Sequence, residues 1–345
     1  MIRRLPAKKL MPWASWPEQK LLDLRLCDLG LTIDGDLLRT QIQRLYDELE
    51  AKQIRFRPHF WLSDEWFCPD GVPGIAIPFY LAHPRLARLE RTYMLEVEGG
   101  TPEWCMRLLR HETGHAIENA YLLRRRSRRQ ELFGKSSEPY PDHYAPNPYS
   151  RSFVQYLEVW YAQSHPDEDF AETFAVWLDP SSLWRRRYAG WPAMKKLQYI
   201  DEVMKELAAT PPKVTSRRRI DPLERLNKTL REHYLQKRAH YGVDHAKAYD
   251  MWLLRLFSAK PRRPGGMGAA EFLSRIRGEV RRTVALWTGQ YQYTIDRVIE
   301  DMIERCRTLN LRVATPLDQA KLGFTVLLTR QSMNYLHSGR HRVAV

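Results

Sequence analysis

Arg110-His111-Glu112-Thr113-Gly114-His115 lies inside a segment, opening at Thr101, that has independent reasons to be helical. Thr101-Pro102-Glu103 supplies a hydroxyl N-cap, a proline at the first helical position and an acid in the first turn. Trp104, Cys105, Leu108, Leu109, Ala116, Ile117 and Ala120 then recur at helical spacing. Arg124, Arg125, Arg126, Arg128 and Arg129 crowd the far end, where cations suit the helix dipole. On such a helix the HExxH spacing puts His111 and His115 on one face, where the two imidazoles can hold one zinc ion. Glu112 is then placed to take a proton from a zinc-bound water. The plain alternative is a surface helix with two solvated histidines.

A zinc centre needs a third protein ligand. An HExxHxxGxxH continuation is absent, because Glu118 and Tyr121 stand where that pattern needs Gly and His. The stretch YAQSHPDEDFAETFA, Tyr161 to Ala175, reads as a second capped helix, with Ser164 as expected N-cap, Pro166 in its first turn and Asp167 completing a capping box. Glu168 and Glu172 share a face of it, and two unpaired carboxylates four residues apart call for a cation beside them. Zinc on Glu168, with Glu172 hydrogen-bonded to a ligand histidine, meets that need. An acidic first turn that only complements the dipole is the alternative. Asp142 and His143, in the Pro-, Tyr- and Asn-rich stretch 133–152, form a second candidate for the third ligand. His165 is expected to help start the second helix, and His59 and His83 have no evident partner.

HETGH followed by YAQSHPDEDFAETFA resembles the gluzincin type of metallopeptidase, and most closely a bacterial family of zinc-binding metallopeptidases. The second helix is also similar to those of the anthrax lethal factor catalytic domain and the Pro-Pro endopeptidases. The resemblance covers about residues 30–210 and is concentrated in the two motifs. It implies a zincin-like domain, with Glu168 as third ligand and Glu172 as its supporting acid. It also implies that Tyr161, seven residues before Glu168, offers its hydroxyl to the tetrahedral intermediate.

Charge divides the chain. Residues 1–210 carry 29 Lys+Arg and 29 Asp+Glu, so the whole net charge of +14 belongs to residues 211–345. That asymmetry points to an acidic partner, which could be nucleic acid, an anionic lipid surface or an acidic protein; a solvated basic bundle is the alternative. Cys27, Cys68, Cys105 and Cys306 are far apart with no CxxC pair, which fits a reducing compartment. The basic N-terminus lacks an apolar signal core, and no apolar run approaches the ~18 residues of a membrane span. A cytoplasmic location is the expectation.

Residues 37–52 have the pattern of an amphipathic helix burying Leu37, Ile42, Leu45 and Leu49. Residues 55–63 and 74–81 read as strands, and Pro78 marks the second as a sheet edge to which an extended peptide could pair. Two short helices split at Gly190-Trp191-Pro192 follow the second metal helix. Pro211-Pro212 and Arg217-Arg218-Arg219 mark a linker, after which residues 223–241, 246–257, 269–288, 295–307 and 316–336 all have helical spacing. The expected architecture is α+β: a zincin-like metallopeptidase domain over residues 1–210, a linker over 211–222 and a basic all-α helical domain over 223–345. The expected chemistry is zinc-dependent hydrolysis of peptide or protein substrates, with metal on His111, His115 and Glu168, Glu172 supporting, and Glu112 and Tyr161 catalytic. Two other classes stay open. One is a non-peptidase zinc amidohydrolase; the other is a binding protein for nucleic acid or an acidic partner, with a structural or regulatory zinc site.

Overall fold

Hydrophobic periodicity and proline-marked starts turn most of this chain into helix. The computed structural model describes residues 11–33, 36–141, 143–144, 147, 149–208, 210–241, 249–259, 267–337 and 343–344. Its helices are α1 (Glu18–Leu22), α2 (Asp36–Ala51), α3 (Pro84–Met94), α4 (Pro102–Tyr121), α5 (Ser127–Phe133), α6 (Pro166–Leu178), α7 (Trp184–Arg187), α8 (Ala193–Leu207), α9 (Leu230–Tyr241), α10 (Asp250–Leu256), α11 (Ala269–Thr288), α12 (Gln292–Thr308) and α13 (Leu317–His337). Strands β1 (His59–Ser63) and β2 (Gly74–Pro78) pair in parallel, and β3 (His143–Tyr144) pairs antiparallel with β4 (Val343–Ala344). The described sheet is thus small, and helix dominates.

Strand β2 is buried along its length, and its second edge is covered where the Ala76 N–H donates to the Phe67 carbonyl at 2.8 Å. This corrects the expectation of a free edge at Gly74–Leu81. Pro78 ends the strand, and Phe79–Ala82 turns as a 3-10 helix. On α2 the buried face is Leu38, Leu45 and Leu49, so Leu38 replaces Leu37 as its first core residue.

The apolar residues form two main cores. One runs from Trp13 through α2, α4, α6 and α8 and includes Leu223, Leu230 and Tyr234; the other runs from Tyr249 to Leu328. Residues 223–234, grouped by sequence with the basic helical part, therefore pack on the first core. The stretch read as a linker is held against β1: the His59 ring meets the Arg218 carbonyl at 2.9 Å, Trp61 Nε1 donates to the Ile220 carbonyl and Ser63 Oγ to that of Asp221. His83, also without an evident partner in the sequence, caps α3 by accepting from the Arg85 N–H at 3.1 Å.

Candidate metal centre and its cleft

Helix α4 starts as its sequence dictates: the Thr101 hydroxyl accepts from the Trp104 N–H at 3.2 Å, and Pro102 occupies the first turn. Helix α6 is capped by His165, whose Nδ1 accepts from the Asp167 N–H at 3.1 Å. Ser164, expected in that role, is buried with its hydroxyl unpartnered among the described residues. The proline explains the difference: it is best placed at the first helical position, which makes its predecessor His165 the cap.

The two helices approach so closely that a Cβ on Gly114 would lie 2.7 Å from the Cα of Ala171. Glycine in the first motif and alanine in the second thus set the distance between the metal-facing surfaces. Charged clamps hold both ends. At one, Arg110 makes two 2.7 Å bonds to Glu48 of α2 and reaches Asp179, just past α6, at 3.0 Å. At the other, fully buried Arg129 joins Glu118 of α4 to Asp167 of α6, each at 2.6 Å, and Arg124 reaches both acids at 3.2 Å. Of the arginines read from sequence as dipole partners, Arg124 and Arg129 are therefore cross-links between these two helices, while Arg126 and Arg128 pair with Glu206 and Glu202 of α8.

Between the clamps three atoms converge. His111 Nε2 lies 3.0 Å from Glu168 Oε2, His115 Nε2 lies 3.2 Å from that oxygen, and the two nitrogens are 3.2 Å apart. A tetrahedral zinc shell with bonds of about 2.0 Å sets its ligand atoms about 3.3 Å apart, so these residues fit the ion. Among the described residues His111, His115 and Glu168 are the one group of this kind able to hold a metal. Asp142 and the His143 side chain lie outside the described residues. His111 Nδ1 donates to Glu172 Oε1 at 2.9 Å, which leaves Nε2 free to face a metal; Glu172 Oε2 is fixed by the Leu157 N–H at 2.8 Å. Burial opposes charge on His111, yet hydrogen bonds to Glu168 and Glu172 outweigh it and raise its pKa. Protons therefore compete with metal for this centre.

Glu112, at 7 % exposure, faces the same cleft with Oε2 unpartnered among the described residues, and burial raises its pKa. Tyr161 lines the cleft with its ring 5.7 Å from that of His111. It follows Trp160, which has a positive φ of 56°, a turn that brings residue 161 back towards α4. Burial, with Glu168 nearby, raises its pKa well above the ordinary phenol value and keeps the hydroxyl a donor. A further residue, not singled out in the sequence, joins this centre. The Tyr140 hydroxyl donates to Glu168 Oε1 at 2.9 Å, and its ring stacks on His165 with centroids 3.7 Å apart.

The cleft has a volume of about 1230 Å³ and extends well beyond the metal ligands. Asp64 to Cys68, residues of α9 and α11, and the turn before α12 also line it, and Lys237 of α9 bonds Glu65 at 3.2 Å. No helix among the described residues is long and apolar enough to cross a membrane. No curated protein and no solved structure matches the chain. Residues 106–189, which carry His111, Glu112, His115, Glu168 and Glu172, match the model of the family described as "Putative zinc-binding metallo-peptidase".

Proposed function

We propose that the chain is a zinc-dependent peptidase with a zincin-like centre of gluzincin type. The observation that carries this reading is the convergence of His111 Nε2, His115 Nε2 and Glu168 Oε2 at tetrahedral-edge distances beside an unpartnered Glu112 carboxylate oxygen. Zinc bound there supplies a Lewis acid that makes water acidic near neutral pH and polarises a carbonyl. Glu172 holds the His111 ring, and Tyr140 fixes the free oxygen of Glu168, so neither ligand can rotate away. Glu112 takes the proton from the attacking water and delivers it to the leaving amine nitrogen. Tyr161 donates its hydroxyl proton in a hydrogen bond to the oxyanion as charge develops. No covalent bond to the chain is required.

Cleft size favours a peptide over a small amide. Drug-sized pockets run to about 1,000 Å³, and this cleft exceeds that with an extended margin at Asp64–Cys68 along which a substrate backbone can lie. Polyanion binding by residues 211–345 receives less support, since Arg277 and Arg281 pair with Asp296, Arg305 with Asp250 and Lys321 with Glu279 inside that part of the chain. A cytoplasmic site of action remains part of the proposal. The test is incubation of the zinc-loaded protein with an unfolded protein substrate, read by mass spectrometry. Cleavage that a chelator abolishes and zinc restores is the expected result; hydrolysis of small amides with no cut in the protein would favour the amidohydrolase.

A further inference from the structure

The turn between α3 and α4 carries Glu96 and Glu98 into the cleft that holds the metal-facing residues. Leu95 ends α3 in the left-handed conformation with φ 69°, and Gly99 has φ 71°; these two reversals present the acids between them to the cavity. The Glu96 carboxylate accepts from the backbone N–H of Gln292 at the start of α12, and the Lys237 ammonium acts on both acids electrostatically while making its salt bridges to Glu65 and Glu90.

The two neighbouring lysines bond other acids. Lys237 bonds Glu65 at 3.2 Å and Glu90 at 3.1 Å, and Lys228 bonds Asp64 at 2.7 Å. Lys228 and Lys237 thus share Asp64, Glu65 and Glu90 between them, while Glu96, Glu98 and Arg282 also line the cleft. A separate observation points to a ligand. His233 lines the cleft at 2 % exposure, and its Nε2 has no hydrogen-bond partner among the described residues. Burial, then Lys237 and Lys228, push its pKa down to about 3, so the ring is neutral and in one tautomer offers Nε2 as an acceptor.

We propose that Glu96, Glu98 and His233 form a subsite for a positively charged nitrogen of the substrate, an alkylammonium or guanidinium group, on the wall away from the metal-facing residues. The inference rests on the peptidase reading and names the substrate class it favours. A metal ion is a poorer occupant, because the group formed by His111, His115 and Glu168 is the one described cluster whose ligand atoms lie within 4.8 Å of one another. An organic cation is larger and can span more widely set acceptors. Burial holds both glutamates near pKa 7, and a cation beside them would restore their charge and gain charge-assisted hydrogen bonds. Glu98 and Glu112 line the same cleft, so a peptide whose scissile bond lies at the metal centre can extend to the subsite.

The shared chemistry has two sources, a Lys or Arg side chain or a free N-terminus, and the test separates them. Binding is measured by fluorescence anisotropy on the full-length zinc-loaded Glu112→Gln protein, so turnover plays no part. The probes are labelled alanine hexapeptides: N-acetylated with one arginine or lysine, N-acetylated with citrulline or norleucine as the neutral counterparts, and unacetylated all-alanine. Tighter binding of the arginine and lysine peptides by at least about tenfold identifies a side chain, whereas the same gain confined to the free-amine peptide identifies the N-terminus. Either preference should fall to within about twofold in Glu98→Gln and reverse towards a glutamate-containing peptide in Glu98→Lys. Equal binding of charged and neutral probes, no binding of any, or a preference that survives Glu98→Gln overturns the subsite. Failure of the wild-type enzyme to cut any of these peptides counts against the peptidase reading, and leaves the charge preference to be decided by the anisotropy.

Discussion

The metal-facing wall of the cleft comes from two helices, α4 and α6, whose backbones meet at Gly114 and Ala171 and whose ends are clamped by Arg110 and Arg129. A second wall is assembled from the turn after α3, from α9 and from the α11–α12 connection, parts that lie far apart in the chain. On the first wall nearly every buried charge has a named partner. On the second, Lys237 acts on Glu96 and Glu98 only at a distance while bonding Glu65 and Glu90, and His233 has an unpartnered nitrogen among the described residues. Rigid positioning is what a reacting bond needs, since small errors at the chemistry are costly. Unpartnered groups are what a recognition surface keeps for its ligand.

That contrast can be broken most severely at the metal ligands. Glu168→Ala should leave the purified protein without stoichiometric zinc, whereas Glu172→Ala should retain a centre weakened about 10- to 100-fold, as for a lost supporting hydrogen bond. Competition with a chromogenic chelator reads both, and equal losses would deny Glu172 a merely supporting role. Next in size is Arg129→Met. It deprives Glu118 and Asp167 of their closest cation, and breaking a buried ion pair costs about 3–5 kcal/mol. The lower end is expected because Arg124 reaches the same two acids. Urea unfolding checks it, and Glu98→Gln on the other wall should move the midpoint far less.

Tyr161→Phe is a smaller change that should leave zinc and KM nearly untouched and lower kcat about 100-fold, the scale of one lost oxyanion donor. An effect on KM alone would assign the hydroxyl to ground-state binding. The smallest effect belongs to Tyr140→Phe, which removes one neutral donor from Glu168. Chelator competition should show a weakening of less than about tenfold, and a loss as large as that of Glu168→Ala would mean that Tyr140 holds the whole ligand helix.

The first wall was legible in the sequence because its signals are local. Thr101-Pro102 fixes the start of α4, the four-residue spacing puts both histidines on one face, and the same spacing aligns Glu168 with Glu172. The details that escaped depend on distant partners. Arg129 looks like a dipole counter-charge until the chain folds and Asp167 arrives beside it. Tyr140 lies in a stretch without periodicity, and its role exists only because the loop carries its hydroxyl to Glu168. The His165 cap could have been found from Pro166 at the first helical position. Glu96 and Glu98 resemble ordinary solvated turn residues until α9 and the start of α12 close over them.

The proposal stands most directly on Glu112, whose unpartnered oxygen faces the cleft beside His111, His115 and Glu168. Glu112→Gln preserves shape and all three ligands, so zinc content and peptide hydrolysis should be measured together on this variant and the wild type. The account predicts one zinc per chain in both and a hydrolysis rate at least about 100-fold lower in the variant, the scale of a lost general base. Wild-type activity in Glu112→Gln with zinc retained would contradict it, and would leave His111, His115 and Glu168 as a structural or regulatory metal site.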